Sequence, residues 1–549
     1  MEPSTDDLQC PPLSSLLTPS SSKLHSFRAA SISEIISIIK KSSKASCSLD
    51  PIPTSLLRNV LPSLAPAITE IVNSVLSSGE FPNDLKSAIV QPLLKKSSLD
   101  CEVLKNFRPV SNLSFLSKVI EKVIASRLLD HMTENDLMDP LQSAYRKGHN
   151  TETALLRVHN DIVSAVDKGH GVCLILLDLS AAFDTVDHTI LLTFLEQHIG
   201  LEGPPLDTFK SYLTHRTQCV SINGVLSELN ELMYGVPQGS VLGPLAFCIY
   251  TLPLGAILKH YEIDYHIYAD DTQLYCSFDI HSINDVIGSL STCISDIRSW
   301  MIRNKLKIND DKTEFLLITS THSKLSKDIT ISIGQSEISP STSCKSLGVM
   351  LDNHMVMDAQ IQSVCKSTLF HIRNISAIRH LIPQSAAAAL VHSLVTSRLD
   401  YCNSLLYGVP ACKLDQLQRI QNIAARVVTL TRCSPENHIT PVLKSLHWLP
   451  VKIRIVFKVL LLTYKCVSSL APEYLCNLVT KQQYARPLRS EKLEHLKVPE
   501  TRLKTYGDRS FQYAAAVEWN KLPLDIRESP SVSCFKTRLK THLFRLYFE

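Results

Sequence analysis

Two apolar rhythms divide this chain. Helical spacing of apolar residues runs through Ser31-Ile-Ser-Glu-Ile-Ile-Ser-Ile-Ile-Lys40 and again over about 62–78, with Asp50-Pro-Ile-Pro53 breaking the chain between them. Leu116, Val119, Ile120, Val123 and Ile124 step by three and four, which predicts another amphipathic helix, and Thr151 opens one that runs to Gly169. Gly171-Val-Cys-Leu-Ile-Leu-Leu177 is short, continuously apolar and partly β-branched, so it predicts a buried central strand. A helix reaches Gly200, another follows Pro205, and Gln218-Cys-Val-Ser-Ile-Asn-Gly-Val-Leu226 predicts a hairpin turning at Asn223-Gly224. Ser240 caps a strongly apolar helix to about residue 258. In His266-Ile-Tyr-Ala-Asp-Asp-Thr-Gln-Leu-Tyr-Cys276, short apolar runs flank two acids, predicting a tight hairpin with Asp270 and Asp271 at its tip. A helix then runs to Trp300, and Lys312-Thr-Glu-Phe-Leu-Leu-Ile318 predicts a strand. Residues 353–549 are mostly helical by pattern, and Leu417-Gln-Arg-Ile-Gln-Asn-Ile-Ala-Ala-Arg-Val427 is amphipathic; Gln421, Asn422 and Arg426 are its candidates for facing RNA. Residues 1–30, rich in Ser, Pro and Thr and without period, are expected to be disordered.

Composition narrows the class. A chain of 549 residues suggests three or four structural units, and 44% hydrophobic with 20% charged residues gives it ample material for a core. No apolar run stands out as long enough to span a bilayer, and Met1-Glu-Pro-Ser-Thr-Asp-Asp7 lacks the basic and apolar regions of a secretory signal. The 16 cysteines are scattered singly and never spaced CxxC, which points to reduced, intracellular thiols and to neither a zinc module nor a disulfide framework. The net charge of +4 conceals an asymmetry: residues 351–549 hold 27 Lys and Arg against 14 Asp and Glu, whereas the first 350 residues hold 29 against 38. A basic C-terminal third is either the electrostatic footprint of a phosphate backbone or a set of solvated helix faces.

The acids carry the chemistry. Asp178 ends the apolar run 171–177, a poor position for stability and a good one for a site; alternatively it caps a following helix. Adjacent Asp270 and Asp271 are either an ordinary solvated turn or a pair whose repulsion a cation relieves. Hard oxygen ligands of this kind suit Mg²⁺, which takes one or two carboxylates plus substrate phosphates. Three carboxylates gathered from Asp178, Asp270 and Asp271 would serve two-metal phosphoryl transfer.

Tyr268-Ala-Asp-Asp271 resembles the YxDD box of reverse transcriptases, and Asp178-Leu-Ser-Ala-Ala-Phe-Asp184 resembles their first aspartate motif. Between them Gly235-Val-Pro-Gln-Gly-Ser-Val-Leu-Gly-Pro244 resembles the PQG motif, in the right order. Leu49-Asp-Pro-Ile-Pro53, Asn106-Phe-Arg-Pro-Val-Ser111, Gln142-Ser-Ala-Tyr-Arg-Lys-Gly148 and Ser346-Leu-Gly-Val-Met-Leu-Asp352 are similar to flanking motifs of the LINE-type (non-LTR) retrotransposon polymerases. The resemblance implies an α+β right-hand polymerase with fingers, an antiparallel-sheet palm and a helical thumb, followed by a mainly helical basic region. On that reading residues 1–75 form an N-terminal extension, 76–352 the reverse transcriptase domain, and 353–549 the thumb and basic C-terminal region.

The same resemblance implies RNA-templated DNA synthesis with RNA template, DNA primer, dNTPs and the element's own RNA as partners, no membrane, and work in the nucleus. Asp178, Asp270 and Asp271 would hold two Mg²⁺ ions, with Mn²⁺ as the alternative. Phe183 would lie under the sugar and exclude a 2′-OH, or else serve as core. Gln238 and Gly239 would lie against the nucleotide and template pair. Arg108 binds triphosphate or forms a surface ion pair, and Arg146 with Lys147 grips a phosphate or is solvated. Lys312, in a Leu-x-x-Asn-x-x-Lys-Thr pattern, is a general acid for pyrophosphate or a structural lysine. Asp184 and Asp187 read as helix-start acids. Only about 85 residues precede the polymerase-type sequence, and neither an endonuclease array there nor an RNase H pattern at the C-terminus is visible. The competing expectation is an element remnant that binds RNA or DNA without polymerising.

Overall fold

The computed structural model describes residues 19–549 apart from 97, 181–182, 280, 323–328, 335, 435–437 and 483–494. The disorder expected of residues 1–18 and the Ala181-Ala182 step of the first aspartate motif lie outside the described residues. The chain forms two compact units that interleave along the sequence. One comprises Met1–Tyr145, Asp178–Glu262 and Thr292–Asp311, and the other Arg146–Leu177, Ile263–Ser291 and Lys312–Glu549.

In the first unit the amphipathic segments fold as their spacing predicts. Ile32–Lys41 starts at Ser31, whose hydroxyl accepts from Glu34 N, and buries Ile35 and Ile39. Leu61–Ser78 buries Val72, Val75 and Leu76 and stops at Gly79, whose φ of 78° is the left-handed conformation that ends helices. Phe115–Glu134 is capped by Ser114 and buries Val119, Ile120, Val123 and Ile124. Residues 19–30 are packed, so the disorder expected of 1–30 does not extend to them: Leu24 N donates to Gly200 O at 2.9 Å, and Phe27 is buried. One buried ring and backbone hydrogen bonds to the segment 197–202 outweigh the polar composition around them.

The sheet of this unit pairs Phe107–Leu113 antiparallel with Ser87–Leu94, which runs parallel to Thr217–Ile222. The predicted hairpin returns through Val225–Leu226, with Asn223 at φ 51° and Gly224 at φ 84°, as a two-residue turn with both central residues left-handed requires. The apolar helix expected from Ser240 is two helices, Leu242–Tyr250 and Leu252–His260, broken at Thr251 just before Pro253, which has no N–H to continue the ladder. By length and composition alone Leu242–His260 does reach what a bilayer span needs, although no apolar run in the sequence stands out as that long. Most of it (78%) is buried inside the protein, as core helices are.

The second unit is built on a four-stranded antiparallel sheet in the order Asp264–Tyr268, Asp271–Phe278, Gly171–Leu177, Glu314–Ile318. The apolar run 171–177 is an interior strand, as its pattern predicts. Helix Thr151–Asp167, opened by an Asn150–Thr153 capping box, is tied to the sheet through Asp161, which accepts from Arg157 Nε and from Tyr275 Oη, each at 2.7 Å. The Ser346–Asp352 motif is a hairpin, Ser343–Ser346 against Val349–Asp352, turning on Leu347 and Gly348 at φ 43° and 85°.

The remainder of this unit is mostly helical, as expected: Asp358–Ile378, Ala411–Thr429, Val451–Val467, Phe511–Asn520 and Val532–Phe548 are its longer helices. Tyr464, Trp519, Phe535 and Leu539 share one core there, with the Tyr464 and Phe535 rings stacked 4.2 Å apart. Helix Thr151–Asp167 joins this part by polar contacts. Glu152 accepts from Ser404 N and Oγ and from Lys458 Nζ, and Asp167 accepts from Arg502 N and Leu503 N. One residue that the sequence offers to RNA, Gln421, is internal, and so is Arg509 of the basic C-terminal third. Gln421 is buried and donates to Leu449 O at 2.9 Å, and Arg509 is buried and donates to Met355 O at 2.6 Å.

Candidate active site

The paired acids sit where the sheet register leaves them. Tyr268 pairs with Asp271, so Ala269 and Asp270 are the two turn residues and Asp271 is the first residue of its strand. The tip is therefore Ala269-Asp270, one residue earlier than the sequence suggests. Ala269 is buried and holds φ 58°, a left-handed conformation that costs an L-residue about 1–2 kcal/mol. Such strain persists only where the surroundings over-determine it. Behind the turn His266 is buried in edge contact with Tyr474 at 4.9 Å, and burial, with Arg157 and His149 adding to it, pushes the imidazole down to about 3. Asp270 is half-buried and Asp271 exposed.

The next strand carries the third acid. Leu177 pairs with Thr272, the residue after Asp271, and Asp178 is the residue that follows Leu177. On the other side Leu176 pairs with Glu314, so the turn Asp310–Lys312 leads into this same end of the sheet, with Lys312 exposed. Among the described residues Asp178 caps no helix; the next described one starts at His188 with Asp187 as its cap. Its carboxylate instead accepts from Asn309 Nδ2 at 3.2 Å, while Asn309 N donates to Asp178 O at 2.8 Å. Asn309 is the asparagine of the Leu-x-x-Asn-x-x-Lys-Thr pattern, whose spacing is visible in the sequence but whose partner is not.

In the first unit the glycine loop closes on the segment after Asp178. Val236 N donates to Phe183 O and Gly235 N to Val186 O, both at 2.8 Å. Gln238 Nε2 reaches the Asp184 carboxylate at 3.1 and 3.2 Å, so Asp184 holds the loop and starts no helix. Although Asp184 is exposed as a residue, enough protein surrounds its carboxyl that burial raises its pKa against the opposing Gln238 hydrogen bond. Phe183 is half-buried with its ring 5.0 Å from that of Phe247. Gln238 O accepts from Ser111 N at 2.7 Å, and a Cβ on Gly239, at φ 125°, would stand 2.6 Å from Ser111 O. Only glycine fits there. Arg108 is exposed on the same strand as Ser111, opposite Leu93. Arg146 is half-buried in the turn that precedes the Asn150 cap.

One residue under the loop escapes a reading of apolar spacing. Glu121 is fully buried on helix Phe115–Glu134 and accepts from Val241 N at 2.6 Å, Leu242 N at 3.0 Å, Ser117 Oγ at 3.1 Å and Tyr212 Oη at 3.4 Å. It holds the two backbone N–H groups that open helix Leu242–Tyr250, directly after Gln238 and Gly239. Burial raises its pKa, and the two amide hydrogen bonds oppose that shift.

No three His, Cys, Asp or Glu side chains gather closely enough among the described residues to hold a metal ion by themselves. The donors at the end of the sheet are all carboxylates. Mg²⁺ binds through one or two of these and completes its shell with water and substrate phosphates, so this donor set fits an ion that arrives with a nucleotide.

Residues 93–351 match the family described as reverse transcriptase (RNA-dependent DNA polymerase). Similar proteins include the probable RNA-directed DNA polymerase from transposon BS of Drosophila melanogaster, 28% identical over 371 residues that cover 65% of this chain and 40% of that protein. The probable RNA-directed DNA polymerase from transposon X-element of the same organism is 27% identical over 414 residues, 73% of this chain and 44% of its own length. The transposon TX1 uncharacterized 149 kDa protein of Xenopus laevis is 29% identical over 196 residues, 36% of this chain and 14% of its own. The chain thus spans less than half the length of these relatives.

Proposed function

We propose, from the premise that this chain belongs through residues 93–351 to the reverse transcriptases of LINE-type retrotransposons, that it extends a DNA primer on an RNA template. The observation that carries the reading is the register at one end of the second unit's sheet. The Ala269-Asp270 turn and Asp271, which starts the next strand, lie beside the strand that runs out into Asp178, with Lys312 entering the neighbouring strand. Asp178, Asp270 and Asp271 would hold Mg²⁺, or Mn²⁺, together with the nucleotide's phosphates. When bound, the ions lower the pKa of the attacking 3′-hydroxyl and neutralise charge on the transferring phosphate.

The chain's own residues orient the substrates. Asn309 fixes the Asp178 carboxylate, and the strained Ala269 turn fixes Asp270. Gln238 and Gly239 offer a close backbone approach for the nucleotide, Phe183 excludes a ribose 2′-OH, and Arg108, Arg146 and Lys312 take phosphate charge. Lys312 also supplies a proton to the leaving pyrophosphate. On this reading the interior antiparallel sheet is a palm, residues 76–352 are the polymerase domain and 353–549 contain the thumb. The resemblance also carries the nucleus as the place of action and the element's own RNA as a partner.

The test is extension of a DNA primer on an RNA template with Mg²⁺ and dNTPs, comparing wild type with Asp270→Asn. Incorporation by the wild type alone supports the reading. A folded wild type that extends no primer under these conditions refutes it and leaves a nucleic-acid-binding remnant.

A further inference from the structure

In the helical part of the second unit, a cavity of about 350 Å³ is lined from helix Val451–Val467 and from the last helix, Val532–Phe548. Arg454 and Lys458 stand one turn apart on the first helix, and Lys536 and Lys540 one turn apart on the second. The only carboxylate in the lining is Asp400, and it is ion-paired with Arg454. Lys458 is paired with Glu152 at 3.0 Å. Lys536 and Lys540 are exposed, and among the described residues neither has a carboxylate within ion-pair distance. The surplus of positive charge is felt next door: burial, and then Lys536 and Lys458, lower the pKa of Lys465. With Arg454 and Lys458 already compensated, Lys536 and Lys540 are the two cations at this cavity that repel one another unless an anion enters.

A second observation narrows the anion. Asn403, also in the lining, is 3% exposed, and its Oδ1 has no hydrogen-bond partner. Its Nδ2 faces Asp400 Oδ1 at 3.5 Å, which fixes the amide orientation, since the reverse would set oxygen against carboxylate. The unmet need at this wall is therefore a donor. A sugar hydroxyl or a base amine supplies one, whereas an inorganic phosphate presents chiefly acceptors. Half-buried Phe457 adds an apolar face beside them.

We propose that this cavity binds one nucleotide unit of a nucleic acid strand, its phosphate on Lys536 and Lys540 and its sugar or base donating to Asn403 Oδ1. The assignment stands on the cavity's own residues and is independent of the acids at the sheet end, so its test reads binding and no synthesis.

The experiment is lysine acetylation of the full chain, followed residue by residue by mass spectrometry, with and without a saturating single-stranded RNA 12-mer. Its companion is anisotropy of the labelled 12-mer on wild type and on the Lys536→Ala/Lys540→Ala double variant. Both lysines are exposed, and a melting curve checks that the variant folds. The expected result is that RNA protects Lys536 and Lys540. The double variant should bind roughly tenfold more weakly near 0.1 M salt, with a log–log salt slope smaller by about 0.7, the value for one phosphate contact on a single strand. AMP should protect the same lysines at concentrations where inorganic phosphate does not. Unchanged acetylation of both lysines under saturating RNA overturns the proposal. So does protection by phosphate equal to that by AMP, which marks a plain anion site, or protection by AMP with none by RNA, which marks a free-nucleotide site.

Discussion

Glu121 offers the sharpest test of how the glycine loop is held. Replacing it with alanine leaves four donors without their acceptor, of which Ser117 and Tyr212 can turn their hydroxyls elsewhere. The N–H groups of Val241 and Leu242 cannot, because they are fixed at the mouth of a buried helix. An unsatisfied buried donor costs about 1–3 kcal/mol, so two cost about 3 kcal/mol even at the lower half of that range. At 1.36 kcal/mol per tenfold, exchange of these two amides with deuterated water should accelerate by about a hundredfold. Hydrogen-exchange mass spectrometry on peptides covering 238–250 reads this directly.

Glu121→Gln keeps an acceptor oxygen and removes the charge. Because burial raises the folded-state pKa of Glu121, the protonated form is favoured in the fold. Its contribution is complete below the unfolded carboxyl pKa and is lost as pH rises through the raised folded value. The glutamine variant should therefore gain on wild type in denaturant melts as pH rises from 4 to 8. Protection of Val241 and Leu242 within threefold of wild type in the alanine variant would sink the capping argument. A stability gap between wild type and Glu121→Gln that is the same at both ends of that pH range would sink the argument about charge.

Gly239→Ala, at φ 125° with its Cβ 2.6 Å from Ser111 O, should cost about 2 kcal/mol or more and weaken the Ser111 N to Gln238 O bond, which amide exchange at Ser111 detects. Glu152→Gln should leave Lys458 without its carboxylate and cost about 1–3 kcal/mol in thermal melts; a melting point unchanged within a degree would mean that Ser404 alone secures this joint. Cys476 should be alkylated by iodoacetamide with a half-maximal rate near pH 7, since the hydrogen bond from Cys466 lowers its thiol to about 7. A profile centred near pH 9 in the intact protein would refute that pairing.

Much of the site was legible because its signals are local. An apolar run ending on Asp178, two acids between short β-rich segments, and a glycine loop before an apolar helix each follow from a few adjacent residues. The same holds for the Ile32–Lys41 and Leu61–Ser78 helices, whose spacing and flanking residues suffice. Residues 19–30 misled because composition averages away the buried Phe27 and cannot show the backbone hydrogen bond from Leu24 N to Gly200 O. Glu121 went unremarked because a single acid on an amphipathic helix is indistinguishable from its wet face. Its partners at 241 and 242 lie 120 residues downstream. Gln421 and Arg509 are polar by type and internal by position, and only the carbonyls of Leu449 and Met355 make them so.

The sequence by itself determined the order of the motifs, the identity of the three candidate acids and the tight turn at Asp270, since side-chain period and turn preference act within a few residues. Tertiary structure decided the rest. It paired Leu177 with Thr272, which sets the end of one acid's strand beside the start of another's, and it gave Asp178 an asparagine 131 residues away. It also turned Gln421, a candidate RNA contact, inward and gathered Arg454 and three lysines around one cavity. Register and burial depend on segments far apart in the chain, and no local pattern encodes which of them will meet.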